Sequence, residues 1–411
     1  MQDCRNKLII TIIIVFVIFQ ITIVFIFGYT PYPDSNGYIE LAKDSLLYGE
    51  AYPVSDKINE YSFLWNIGAI NIVQLSLYLF DSIIPLLIIY SIIKGITAWM
   101  FYEIINTIIN KKTAFIALII YVIYPSNYGE STSVLSELPF MFFCIIGLYL
   151  SLKKNKYILG GSMIAIANWI RPMGLIFILS LIIYLLFIKN KYKIIKPIIG
   201  YIITICFIGC ISMVRTGLFL YQAKTGWMAL ADYSWDNTQN KTKDNNPRYI
   251  TKNKGWNVCQ KDSAYKSYFL NWFNENTNEY IKQIPYKFLK TYISDNVNMC
   301  TFIQDKENKK YMYEEISMKT LIKQFPYYNI TQTITIINLL FYYSLIITAF
   351  MSFKFFKKEY HLLPLCIIIL GTMLLIFVGH GEARFHIPFM PFIIILSSIY
   401  VKNTICKTSV F

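Results

Sequence analysis

The chain has 411 residues, of which 55% are hydrophobic and 15% charged, with a formal net charge of +14 and a mean hydropathy of +0.45. Soluble proteins carry about 25% charged residues, so the composition excludes an ordinary soluble domain. It also excludes nucleic acid as the meaning of the positive charge. The lysines sit in short clusters between apolar runs and the aromatic residues crowd the run ends, which is the pattern of cytoplasmic loops and membrane interfaces.

Leu8 to Phe27 is apolar apart from Thr11, Gln20 and Thr22, and a run of about 20 such residues spans the hydrocarbon core as a helix. Arg5 and Lys7 precede it, as they would a signal peptide. The run is longer than the ~7–15 residues of such a core and no small-x-small cleavage site follows, so it reads as a retained first span. Further apolar runs lie at 62–80, 82–108, 113–128, 132–151, 157–170, 173–188, 194–214, 331–352, 362–378 and 387–402. The expected fold class is an all-α polytopic membrane protein with about 9–11 transmembrane or re-entrant helices. Residues 1–214 form an N-terminal transmembrane module and 331–411 a C-terminal one.

Basic residues mark one side of this bundle: Arg5 and Lys7; Lys111 and Lys112; Lys153, Lys154 and Lys156; Lys189, Lys191, Lys193 and Lys196; Lys354, Lys357 and Lys358; Lys402 and Lys407. The other short loops, 29–60, 125–131, 171–174 and 379–386, hold only Lys43, Lys57, Arg171 and Arg384. This bias places the lysine clusters in the cytoplasm. Parity then requires that 61–80 lie in the interface or dip in and return, or that 82–108 turn back near Lys94. The polar Asn66, Asn71 and Gln74 favour the first. The short runs 157–170 and 173–188 read as a hairpin with Arg171-Pro172 at its tip, because proline disfavours continuing the preceding helix.

Residues 215–330 are polar and rich in Asn, Lys, Tyr and Trp. They are too long for a bare connection and are expected to form a small extracytoplasmic subdomain, with a helical stretch over 279–293 interrupted at Pro285. Cys144, Cys206, Cys210 and Cys366 fall inside apolar runs as inert packing residues. Cys259 and Cys300 fall in the polar region, where an oxidising compartment permits a disulfide.

Four short segments on the outer side carry residues that a connector does not need: Tyr32 to Tyr38, Tyr124 to Pro139, Arg171-Pro172, and Gly379 to His386. Asp34 suits a helix N-cap ahead of Ile39–Leu47. Glu137 stands at the start of an apolar run, where an ionisable group is costly and is paired or functional. Arg171 can snorkel to headgroups. Two carboxylates and two arginines at one depth suggest a shared cavity for a phosphorylated ligand, since the guanidinium fork donates two parallel hydrogen bonds to phosphate.

These segments resemble the GT-C class of membrane glycosyltransferases, in the branch of the protein O-mannosyltransferases and the bacterial aminoarabinose transferase of lipid A. The resemblance rests on PYPDSNGYIELAKDSLLYGE at 31–50, YPSNYGESTSVLSELPFMFF at 124–143, NWIRPMGL at 168–175, EYIKQIPYKFLK at 279–290 and GEARFHIPFMP at 381–391, in the family's order. It implies a sugar donor on a polyprenyl-phosphate carrier and inverting transfer to a lipid, glycan or protein acceptor on the non-cytoplasmic face of the cell inner or plasma membrane. Asp34 and Glu137 match the family's two loop acids, as catalytic groups. Arg384 matches the basic residue before the last spans, a ligand for the carrier phosphate. Tyr38, Arg171, His380, Glu382 and His386 join it in substrate binding. The second loop offers Glu where the family has Asp, and no large domain follows the last span.

The chemistry requires no cofactor. The phosphate is a leaving group, Arg or His compensates its charge, and a carboxylate takes the acceptor's proton. A metal is not needed, although two outer carboxylates and two histidines would suit a divalent ion, as in oligosaccharyltransferases of the wider class. Two other functions remain in view: a polysaccharide polymerase or ligase, and a non-enzymatic flippase or transporter of lipid-linked sugar. Against transport, the charges cluster at one face and no repeat is visible.

Overall fold

The computed structural model describes residues 2–50, 66–238, 246–248, 256–302, 304–305, 310–311, 316–358 and 383–408. The architecture is helical. Five helical segments are long and apolar enough to cross a membrane: Asn6–Phe27, Ile84–Ile108, Ile195–Thr216, Ile330–Phe355 and Arg384–Thr404. Shorter apolar helices pack among them, and the chain is a helical membrane protein. Run 362–378 and Cys366 lie outside the described residues.

The helices are α1 (Gln2–Phe27), α2 (Pro33–Leu47), α3 (Ile67–Phe80), α4 (Ile84–Ile108), α5 (Lys111–Ile123), α6 (Ser126–Gly129), α7 (Glu137–Leu152), α8 (Tyr157–Ile170), α9 (Gly174–Phe187), α10 (Ile195–Thr216), α11 (Thr225–Asp236), α12 (Val258–Tyr292), α13 (Met318–Gln324), α14 (Ile330–Ser352) and α15 (Met390–Thr408). One two-residue antiparallel pair, Gln304–Asp305 with Lys310–Tyr311, interrupts the series. Helix α4 runs unbroken through Lys94, so there is no re-entrant turn there. Helix α3 has 14 residues, about 21 Å at 1.5 Å per residue, short of the ~30 Å hydrocarbon core. Helices α8 and α9 form the short hairpin, with Arg171 capping α8.

Helix α8 is the packing hub, seated between α7 and α10. Two glycines permit the close approach of α8 to α10: a Cβ at Gly161 would collide with the Pro197 carbonyl, and one at Gly200 with that of Ile158. Small residues let membrane helices approach this closely, where dispersion is the main attraction. Just past the end of α7, Lys153 pairs with Glu103 of α4 at 2.9 Å. The first turn of α2, the α5–α7 connection, the α8–α9 tip and a 3-10 turn over Ala383–Phe389 meet through side-chain contacts.

Four sequence expectations need correction. The run at 132–151 becomes helix only from Glu137, because Ser131 to Ser136 form a buried polar connection. Thr132 Oγ1 lies 2.5 Å from Thr30 Oγ1 and 2.8 Å from Thr301 Oγ1, so its backbone is drawn out of helical register. Helix α12 passes through Pro285 and departs from helical geometry at Asn276 instead. The lost bond at Pro285 frees only the Ile281 carbonyl, on a residue exposed enough for water to replace it. Cys259 is a free, exposed thiol, so it makes no disulfide. Helices α11 and α12 are held by hydrophobic packing of Leu230, Tyr233, Phe269 and Tyr280. Finally, Cys206 and Cys210 are exposed rather than packed.

Candidate active site

Helix α2 begins with proline at its first position, which pre-sets φ. Tyr32 is the N-cap and makes no side-chain cap bond. Asp34 is therefore not the cap. It lies in the first turn, where a carboxylate meets the positive end of the helix dipole, and it forms an ion pair with Arg384. One turn further on the same face, Tyr38 is buried. Its hydroxyl accepts from Asn66 Nδ2 at 2.8 Å. Burial, with Asp34 and Glu137 adding to it, pushes the Tyr38 hydroxyl up to about 12, so it stays protonated.

Glu137 opens α7, and Arg171 Nη1 lies 2.6 Å from its Oε1. Ser136 joins the two halves. Its Oγ accepts from Arg171 Nη1 at 2.9 Å and from Asn66 Nδ2 at 3.2 Å, and donates to Glu137 Oε2 at 3.2 Å. Phe385 completes the cluster. The guanidinium carbons of Arg171 and Arg384 stand 5.2 and 5.6 Å from its ring centroid, within cation–π range. Asp34, Tyr38, Glu137, Arg171 and Arg384, from four separate stretches of chain, thus meet around Phe385, Ser136 and Asn66.

Two expected residues, His380 and Glu382, lie outside the described residues. His386 is placed beneath the cluster rather than in it. It is fully buried, with Nδ1 2.7 Å from the Thr291 carbonyl oxygen and Nε2 2.8 Å from Asp295 Oδ1. In a 3-10 turn each residue advances by about 120°, so Arg384, Phe385 and His386 point three ways. Among the described residues no group of three or more His, Cys, Asp and Glu side chains is arranged to hold a metal ion.

Sequence reasoning missed Asn66 and Ser136 as the link, and missed Asp295 entirely. Asp295 follows a helix end in a polar region, where an aspartate carries no signal of burial. A second buried pair had a visible signal. Lys94, alone in the middle of an apolar run, donates to the Asn127 carbonyl at 2.6 Å and lies 3.7 Å from Glu130. That pair anchors the 124–136 connection to α4.

Arginines held against carboxylates at a partly open site can exchange a carboxylate for a phosphate, and the released carboxylate can accept a proton. No protein-family model matches the chain, and no curated protein matches it either.

Proposed function

We propose that this protein is a membrane glycosyltransferase of the GT-C kind, which moves a sugar from a polyprenyl-phosphate carrier to a lipid, glycan or protein acceptor on the non-cytoplasmic face. The observation that carries this reading is the pairing of Asp34 with Arg384 and of Glu137 with Arg171 around Phe385. On this reading residues 215–330 are an extracytoplasmic subdomain beside the site.

The two pairs differ in a way that suits the reaction. Glu137–Arg171 is almost sealed, whereas Asp34–Arg384 keeps part of both side chains exposed. In the ion pair the Asp34 carboxylate is occupied by Arg384. A carrier phosphate binding Arg384 displaces Asp34 and so delivers a free base only when the donor is in place. The acceptor's oxygen or nitrogen then attacks the anomeric carbon as Asp34 takes its proton. The bond from that carbon to the phosphate oxygen breaks, and its electron pair leaves with the polyprenyl phosphate, whose charge Arg384 compensates. Glu137, Arg171 and Tyr38 hold the floor of the site.

The test is a reconstituted assay with a synthetic polyprenyl-phosphate sugar in liposomes, reading released polyprenyl phosphate. Release that is lost in Asp34→Asn is expected. Movement of intact lipid between leaflets without cleavage would instead assign a transporter. A mass shift on an envelope lipid, glycan or protein after loss of the gene identifies the acceptor.

A further inference from the structure

Asp295 has no exposed surface. Its Oδ2 accepts from Tyr124 Oη at 2.5 Å and from Asn338 Nδ2 at 3.0 Å, its Oδ1 accepts from Asn298 Nδ2, and Ser126 Oγ also bonds Oδ2. The remaining partner is His386, whose Nε2 faces Oδ1 while Nδ1 faces the Thr291 carbonyl. A carbonyl oxygen only accepts, so Nδ1 carries a proton. The 2.8 Å contact needs one proton between Nε2 and Oδ1, and donors aimed at both oxygens of Asp295 favour its carboxylate form, which leaves that proton on Nε2. An imidazole with both nitrogens protonated is a cation. The rings of Tyr292 and Tyr342 stack on it at 5.8 and 5.2 Å, presenting the π faces that attract one.

This pair joins four pieces of chain. Tyr124 and Ser126 come from the α5–α7 connection, Thr291 and Tyr292 from the end of α12, Asn338 and Tyr342 from α14, and His386 from the 383–389 turn. Two residues before His386 stands Arg384. A buried pair satisfied this completely is rigid, because any shift leaves a charge or polar group unpaired in a low dielectric.

We propose that Asp295 and His386 form a buried ion pair that positions the 383–389 turn, and so sets Arg384 against Asp34. Both are positioning residues that act through Arg384. The proposal deepens the transferase reading, yet its test needs no transfer reaction and so fails or stands separately from it.

The chain has three histidines, so ring-nitrogen-labelled histidine gives a readable magnetic-resonance spectrum of the whole protein in nanodiscs. At neutral pH the signal removed by His386→Gln is expected to show both nitrogens protonated. In Asp295→Asn it is expected to become a neutral tautomer. Phenylglyoxal, followed by mass spectrometry, reads Arg384 directly. Its modification is expected to quicken several-fold in Asp295→Asn, while exposed Arg248 is modified at an unchanged rate. If Asp295→Asn does not accumulate, His386→Gln removes the charge from the other side and is expected to give the same rise. A neutral His386 in the wild-type protein overturns the ion pair, and that spectrum needs no variant. Unchanged Arg384 reactivity in a folded variant overturns the positioning role.

Discussion

Asp34 and Arg384 are 350 positions apart in the chain and form one ion pair, in which the aspartate keeps 27% and the arginine 15% of its side chain exposed. The neighbouring Glu137 and Arg171 keep 1% and 9%. Water and ligand reach the first pair and hardly reach the second. On the proposed reading the first pair exchanges with ligand, and the second is part of the scaffold.

Asp34→Asn should leave a folded protein. Asparagine tolerates the first turn of a helix and keeps a hydrogen-bonding oxygen for Arg384. It cannot take a proton. Turnover in the liposome assay should fall at least ~100-fold, the scale of a general base. Asp34→Glu should recover little, because a displacement of about 1 Å can cost ~100-fold. Glu40→Gln, exposed on the same helix, is the control and should be near neutral. An Asp34→Asn enzyme with near-wild-type transfer would move the base to another residue. Asp56, farther along the same loop, lies outside the described residues.

Arg384→Ala should impair use of the lipid donor more than Arg384→Lys, which keeps the charge but loses the planar fork. One charge-assisted contact in a partly desolvated site is worth roughly 1.5–3 kcal/mol, about ten- to 150-fold in donor kcat/KM. A donor titration on both variants measures it, and unchanged dependence in the alanine variant would remove Arg384 from the donor site.

Glu137 and Arg171 should behave as a pair. Either Glu137→Leu or Arg171→Met alone leaves a buried charge without its partner and should cost about 3–5 kcal/mol, read as a lower melting temperature in detergent. The double variant should regain most of that stability without regaining activity. Equal losses in the single and double variants would show that the pair is not coupled.

Lys287 offers a pH prediction away from the site. Its ammonium is buried between the rings of Tyr233 and Tyr280, 3.7 and 3.8 Å from their centroids. Burial pulls it down from the ordinary 10.5 to about 8. Between those values the unfolded chain holds a proton that the folded chain has lost. Stability therefore rises with pH across that window, and below it the cost of the buried charge is fully present. Lys287→Met should remove this rise and be on the order of 1–2 kcal/mol more stable at neutral pH, after allowing for the lost cation–π contacts. Melting temperatures of both proteins from pH 7 to pH 9.5 test it. Parallel curves would mean that the aromatic rings fully compensate the burial.

Much of this arrangement was legible because the cost of placing a residue in lipid is local. Leu8–Phe27, the run ending at Ile108 and the run ending at Val214 declare themselves as helices whatever surrounds them. The lysine clusters stand between those runs for the same reason. Asp34, Glu137, Arg171 and Arg384 stood out as charges at the margins of apolar runs, where a partner is needed. Their partners were not legible. Asp34 finds an arginine almost a whole chain away, and Glu137 finds the one at the α8 tip, because α7 and α8 pack closely at Gly147 and Gly160. The inward turn of His386, the burial of Asp295 and the non-helical course of Ser131–Ser136 likewise depend on hydrogen-bond partners from other elements. Hydrophobicity is a property each residue carries along the chain, whereas a hydrogen bond or an ion pair exists only where the fold supplies its second member.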